Sequence, residues 1–112
     1  MGACNFSITV YGKDTDDAYK RAVKNSIKYR GDDPYNGTIS TTRGVKLVEP
    51  PAKYGTKAFY EWEDKQLDKL SKWGHCISVE IKGSKTKSLK KDFGLAGKRG
   101  IKFFYMFGWA AE

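Results

Sequence analysis

The run at residues 101–107, IKFFYMF, constrains the fold more than any other segment. Ile101, Phe103, Tyr105 and Phe107 fall on one side of an extended chain, and Phe104 and Met106 on the other. Successive strand side chains point to opposite faces of a sheet, so a strand that is apolar on both sides needs cover on both. The expected cover for the second face is internal, from the C-terminal tail and a long basic loop. The alternative is a partner molecule, for instance a second copy in a homodimer formed through this last strand.

The remaining elements follow from periodicity and punctuation. Residues 4–11 alternate, with Phe6, Ile8 and Val10 opposing Ser7, Thr9 and Tyr11, which predicts a half-buried strand. Asp14 is a suitable helix cap, and Asp16 and Asp17 suit a positive first turn. Ala18, Tyr19, Ala22, Val23 and Ile27 then recur at helical spacing up to Gly31. Residues 32–37 are turn-forming. The β-branched run 38–42, the dipeptide Arg43-Gly44 and residues 45–48 predict a hairpin. Residues 56–73 predict a second amphipathic helix, in which Glu63 and Gln66 interrupt the apolar arc. His75 to Lys82 alternates as a strand, with Ile77, Val79 and Ile81 inward. Residues 83–99 read as a long basic loop.

The order β-α-β-β-α-β-β predicts one α+β domain spanning the chain. It would be an antiparallel sheet of about five strands with two helices on one face, an extended ferredoxin-like sandwich. At 112 residues, 39% hydrophobic and 14% aromatic, such a chain builds a core without disulfide or metal staples. Strand parity places Cys4 and Cys76 on opposite faces of that sheet, so two unbridged thiols are expected. No secretory leader and no bilayer-length apolar run is evident, which points to a cytoplasmic protein without membrane contact.

Charge is the main functional signal. Residues 82–102 carry Lys82, Lys85, Lys87, Lys90, Lys91, Lys98, Arg99 and Lys102 against Asp92 alone, a net +7 out of +8 for the whole chain. A field with so clear a direction suits a polyanion. The plainer explanation is a solvated, solubilising loop.

Motifs for chemistry are weak. The stretch 94–100, GLAGKRG, lacks the spacing and the hydroxyl residue of a phosphate-binding P-loop, and a flexible hairpin loop accounts for it better. Residues 32–43 fail as a calcium loop because Pro34 and Arg43 stand where ligands belong. The sequon at Asn36 and the Arg30-Gly31-Asp32 tripeptide are chance matches. His75 is the only histidine and no Cys-x-x-Cys exists, which disfavours zinc. His75 and Ser78 face opposite ways on one strand, which disfavours a base–nucleophile pair. Glu63 is the one carboxylate placed to be buried, and an edge residue is the simpler reading. No catalytic residue, cofactor or metal is expected, and the chain reads as a non-enzyme. Tyr11, Tyr35, Tyr54, Phe93 and Tyr105 are interleaved with basic residues; sheet-borne aromatics can stack bases, and Tyr35 and Phe93 are the candidates for it, although core packing is the default for most of these rings.

Residues Met1-Gly2-Ala3, the stretch 35–42 (YNGTISTT), Lys72-Trp73-Gly74 and the terminal 107–111 (FGWAA) together resemble a group of small bacteriophage accessory proteins with no assigned activity. The resemblance implies a setting: such proteins often inhibit host defence systems, including CRISPR effectors. Many inhibitors of that kind are acidic DNA mimics. The +7 segment departs from that pattern and turns attention to guide RNA, target DNA or an acidic protein surface.

The expected function is therefore a non-enzymatic, anti-CRISPR-like accessory protein. It would bind a host nucleoprotein defence complex through Lys85, Lys87, Lys90, Lys91, Lys98, Arg99 and Lys102, with Tyr35 or Phe93 stacking. A general RNA- or DNA-binding module using the same residues is the first alternative. A nucleotide-signal sponge, with residues 35–42 and the basic loop cupping phosphates, is the second.

Overall fold

The computed structural model describes residues 3–30, 38–70, 74–83 and 85–111. The chain is α+β, with strand β1 (Ala3–Gly12), helix α1 (Thr15–Arg30), a 3-10 turn (Ile39–Thr41), strand β2 (Val45–Leu47), helix α2 (Lys57–Leu67), strand β3 (Cys76–Ile81), helix α3 (Lys85–Asp92) and strand β4 (Lys102–Ala111). The four strands form one mixed sheet in the order β1-β4-β3-β2. β4 is antiparallel to β1 along its whole length and to β3 from Phe103 to Phe107. β2 runs parallel to β3.

This differs from the expected five-stranded antiparallel sheet, and threonine chemistry explains why. The Thr41 and Thr42 hydroxyls donate to the carbonyls of Thr38 and Ile39 at 3.0 and 2.7 Å, and the same residues' backbone amides bond the same carbonyls. Local side-chain bonds of this kind compete with a strand ladder. The β-branched run therefore coils, and the hairpin never forms. Left without that partner, β2 reaches β3 across α2 in a parallel β-α-β unit.

The helices cover both faces rather than one. Ala18 and Ala22 of α1 pack with Ile39, Cys76, Phe104 and Met106 on one side. Phe59 and Leu67 of α2 pack with Ile77, Val79, Ile81, Phe103, Tyr105 and Phe107 on the other, where Leu89 of α3 and Leu95 join them. The double-sided β4 is thus a central strand between helical layers, and Phe103, Phe104, Met106 and Phe107 are at most 1% exposed. β4 is bonded to β1 along its whole length and to β3 from Phe103 to Phe107, so for the homodimer expected through the last strand only the β3 side of residues 108–111 lacks a partner strand among the described residues.

The apolar positions of β1 and β3 face opposite layers: Phe6, Ile8 and Val10 meet α1, whereas Ile77, Val79 and Ile81 meet α2. Cys4 and Cys76 consequently share a face, contrary to the parity expectation, and neither is disulfide-bonded. Burial pushes the Cys76 thiol up to about 12, which makes it a poor nucleophile.

Two polar ties seat α2. The Tyr105 phenol donates to Glu63 Oε1 at 2.8 Å, and the Trp109 indole N–H donates to the Leu67 carbonyl at 2.7 Å. The second bond satisfies a terminal carbonyl where α2 stops, earlier than the expected residue 73; Trp73 lies outside the described residues.

Residues 83–99 are not a structureless loop. They hold α3, which ends in a Schellman motif: Leu95 N–H bonds the Lys90 carbonyl at 2.7 Å and Gly94 N–H bonds the Lys91 carbonyl at 3.2 Å. Gly94 takes the left-handed φ of 69° that this motif requires.

Candidate polyanion-binding groove

The site lies where β1 ends and β4 begins. Gly12 is buried there, and a Cβ on it would fall 2.6 Å from the Ala18 amide nitrogen. The missing side chain lets α1 start hard against the strand. Asp14 accepts from the Asp17 amide at 2.8 Å, and Asp17 accepts from the Lys13 amide at 2.9 Å. These bonds cap the helix and fix the Tyr11-to-Asp17 turn. The Lys13 amide, followed by Arg21 and the Lys13 charge, holds the Asp17 carboxyl below its ordinary range despite an opposing desolvation effect.

One helical turn on, Arg21 sits 3.7 Å from Asp17 and lies over the Tyr11 ring at 4.7 Å. From the other side of the sequence comes the connection after α3. Together Tyr11, Lys13, Asp17, Arg21, Lys98 and Arg99, with Gly12, Gly100 and Ile101, line a cavity of about 650 Å³. Four cations and one carboxylate thus share one cavity with an aromatic ring, and Arg21 is the cation seen over that ring. A smaller cavity of about 80 Å³ shares Tyr11 and Arg21 and adds Thr9, Asn25 and Phe93. Phe93 is 40% exposed. It meets Tyr11 edge-on with ring centroids 5.6 Å apart, and rests on Phe103 at 5.7 Å.

The structure divides the sequence-derived site residues. Lys98 and Arg99 are in the groove, and Phe93 adjoins it through Tyr11. Lys102 stands opposite Gly12 in the strand register and is exposed. Lys87 and Lys91 are exposed along α3. Lys90 is half-buried and donates to the Lys98 carbonyl at 3.1 Å, so it shapes the loop that carries Lys98 and Arg99. Lys85 turns away from the groove: it lies 4.9 Å from the Tyr54 ring centre and donates to the Tyr54 carbonyl at 3.4 Å. There it lines a separate cavity of about 450 Å³ in which Glu49 and Glu80 stand against Lys53, Lys82 and Lys85. Tyr35 lies outside the described residues.

Lys13 and Arg21 were absent from the sequence-derived set, and Tyr11 was read only as one of several aromatics near basic residues. The usable signal was Tyr11-Gly12-Lys13 at a strand-to-helix junction, with Arg21 one turn beyond Asp17.

Among the described residues no group of three His, Cys, Asp or Glu side chains could hold a metal ion. None of their helices is long and apolar enough to cross a membrane. No protein-family model, curated protein or solved structure matches the chain.

Proposed function

We propose that this chain is a non-enzymatic accessory protein that grips the phosphate backbone of a nucleic acid in the groove between β1 and the α3–β4 connection. The observation that carries the reading is the gathering of Lys13, Arg21, Lys98 and Arg99 around the one cavity that Tyr11 also lines. Cations that track phosphates beside an aromatic ring that stacks a base are the ordinary means of holding single strands. Lys87 and Lys91, exposed on α3, supply further positive charge on the helix that leads into the groove's Lys98 and Arg99. In the phage setting that the sequence resemblance implies, the nucleic acid is the guide RNA or target strand presented by a host defence complex such as a CRISPR effector. A free-standing RNA- or DNA-binding module would use the same groove.

The groove's volume also falls within the usual range for small ligands, on the order of 300–1,000 Å³, which favours a phosphorylated nucleotide as the second reading. The Thr38–Thr42 segment assigned to that role in the sequence does not line the groove: Thr42 bonds Tyr19 beside β2, at the opposite sheet edge.

The test is fluorescence anisotropy of labelled single-stranded RNA, single-stranded DNA and duplex DNA across a salt series. Four phosphate contacts on a single strand give a log–log salt slope near −0.7 per contact, so a fourfold rise in salt should weaken binding roughly 50-fold. Tight retention on an assembled effector complex together with weak binding of naked strands supports the defence-complex reading. Binding of neither kind at low salt removes the proposal.

A further inference from the structure

β1 is an edge strand of ten residues, and among the described residues nothing pairs with its outer side. Its ladder with β4 runs unbroken through ten residue pairs, without a bulge. None of its residues is charged and none is proline, in a chain that is 30% charged. Natural edges are ordinarily blunted by charges, prolines, bulges or brevity. The opposite edge, β2, is protected by its length of three residues, whereas β1 has none of these devices. Asn5 and Ser7 are exposed, and Phe6, Ile8 and Val10 are only half-buried, beside a fully buried Phe104 and Met106.

We propose that the outer edge of β1 pairs antiparallel with the β1 of a second copy, joining two four-stranded sheets into one continuous sheet. Symmetry fixes what such a pair can be. A two-fold axis normal to the sheet keeps each face on its own side, so only residues of like parity can oppose one another and the axis passes through a residue; the longest overlap this allows for the strand Ala3–Gly12, about nine residues, places it at Ser7 or Ile8. On the Ser7 axis, Phe6 opposes the mate's Ile8 and Asn5 opposes the mate's Thr9. On the Ile8 axis, Phe6 opposes the mate's Val10 and Ser7 opposes the mate's Thr9. In either register aromatic and β-branched groups meet on the α1 face; on the α2 face small polar groups meet, and Tyr11 at the groove opposes the mate's Ala3 or Asn5.

Charge selects the same arrangement. Lys13, Arg21, Lys98 and Arg99 all gather at the C-terminal end of β1. Antiparallel pairing carries the two basic groups to opposite ends of a strand roughly 30 Å long, well beyond the ~8 Å screening length at physiological salt. Parallel pairing would set them side by side. The interface is independent of what the groove binds.

Sedimentation velocity of the full chain, from micromolar to submillimolar concentration, should show a species of twice the 12.7 kDa chain mass. Ser7→Lys, which places two lysines at or beside the axis, should return it to monomer with an unchanged circular dichroism spectrum. Locating the axis takes two further variants in a Cys4→Ser background, Ser7→Cys and Ile8→Cys. The residue on the axis faces its own copy at a Cα separation of about 4.5–5.5 Å, within disulfide range, so one of the two should cross-link under mild oxidation and the other should not. The buried Cys76 thiol is too weakly acidic to compete. A monomer at every concentration overturns the proposal and leaves the edge for a strand of a different protein. A dimer that cross-links at neither position overturns it as well, because the contact then lies elsewhere.

Discussion

The Arg21 guanidinium lies over the ring of Tyr11, 4.7 Å from its centre, and the exposed Phe93 meets the same ring edge-on. The stack joins three segments far apart in sequence: the end of β1, the second turn of α1 and the residue after α3. It gives the basic groove an aromatic wall. If a base stacks on this wall, Phe93→Ala should weaken binding of a single-stranded oligonucleotide by about 1–3 kcal/mol. Tyr11→Phe, which keeps the ring, should bind within twofold of the parent. Anisotropy titrations at fixed salt measure both. Loss of binding in Tyr11→Phe would move the role from the ring to the hydroxyl.

The junction of β1 with α1 depends on an absent side chain. A Cβ on Gly12 would lie 2.6 and 2.9 Å from the Ala18 amide nitrogen and Cα, and 2.8 Å from Asp17 Oδ2. Two of these are backbone atoms, which cannot swing aside. Gly12→Ala should therefore destabilise the fold by about 1–3 kcal/mol, the usual cost of overpacking, and displace Asp17 and Arg21 at the groove. Urea unfolding gives the first effect and oligonucleotide affinity the second.

Glu63 is a structural carboxylate with a pH signature. Desolvation raises its pKa above the ordinary 4.5, against the lowering effect of the Tyr105 hydrogen bond. The fold therefore favours its protonated form. That contribution is present below the ordinary value and is lost as pH rises through the raised one. Glu63→Gln keeps an acceptor for Tyr105 and cannot ionise, so its stability relative to the parent should improve from acid to neutral pH. Glu63→Ala leaves the Tyr105 hydroxyl only its hydrogen bond with Ser7 and should cost about 1 kcal/mol. Denaturant midpoints for the three proteins at both pH values test this.

The α+β class and several elements were legible in the sequence, the layer arrangement was not, and particular residues show where legibility stopped. The Phe6-Ile8-Val10 alternation, the Asp14 cap and the 3.6-residue spacing in α1 each rest on local rules, and the structure follows them. The double-sided apolar pattern of β4 demanded cover on both faces; the Phe104 and Met106 face has it from α1 rather than from the expected tail and basic loop. The pattern did not reveal that the cover comes from helices on both faces, because that depends on which face each neighbouring strand presents. The Thr38–Thr42 run misled because β-branching favours strands while threonine hydroxyls favour local turns. α3 was hidden by its lysines, although Leu89, Phe93 and the Gly94-Leu95 stop carried its helical spacing and its cap. At the site, charge density led to Lys98 and Arg99. It could not show that Lys85 points elsewhere, or that Lys13 and Arg21 arrive from the other end of the chain.

The most direct test of the groove compares two charge changes that the sequence alone treats as equivalent. In Lys98→Glu/Arg99→Glu both altered residues line the groove; in Lys82→Glu/Lys85→Glu, an equal change of charge, both line the separate cavity beside Tyr54. Salt-dependent anisotropy with a single-stranded oligonucleotide should show near-complete loss of binding for the groove variant and a nearly parental affinity for the Lys82/Lys85 variant. A single Arg99→Ala change should flatten the log–log salt slope by about 0.7, the value of one phosphate contact on a single strand. Equal losses in the groove and Lys82/Lys85 variants would contradict the account, since diffuse charge rather than a built groove would then hold the nucleic acid.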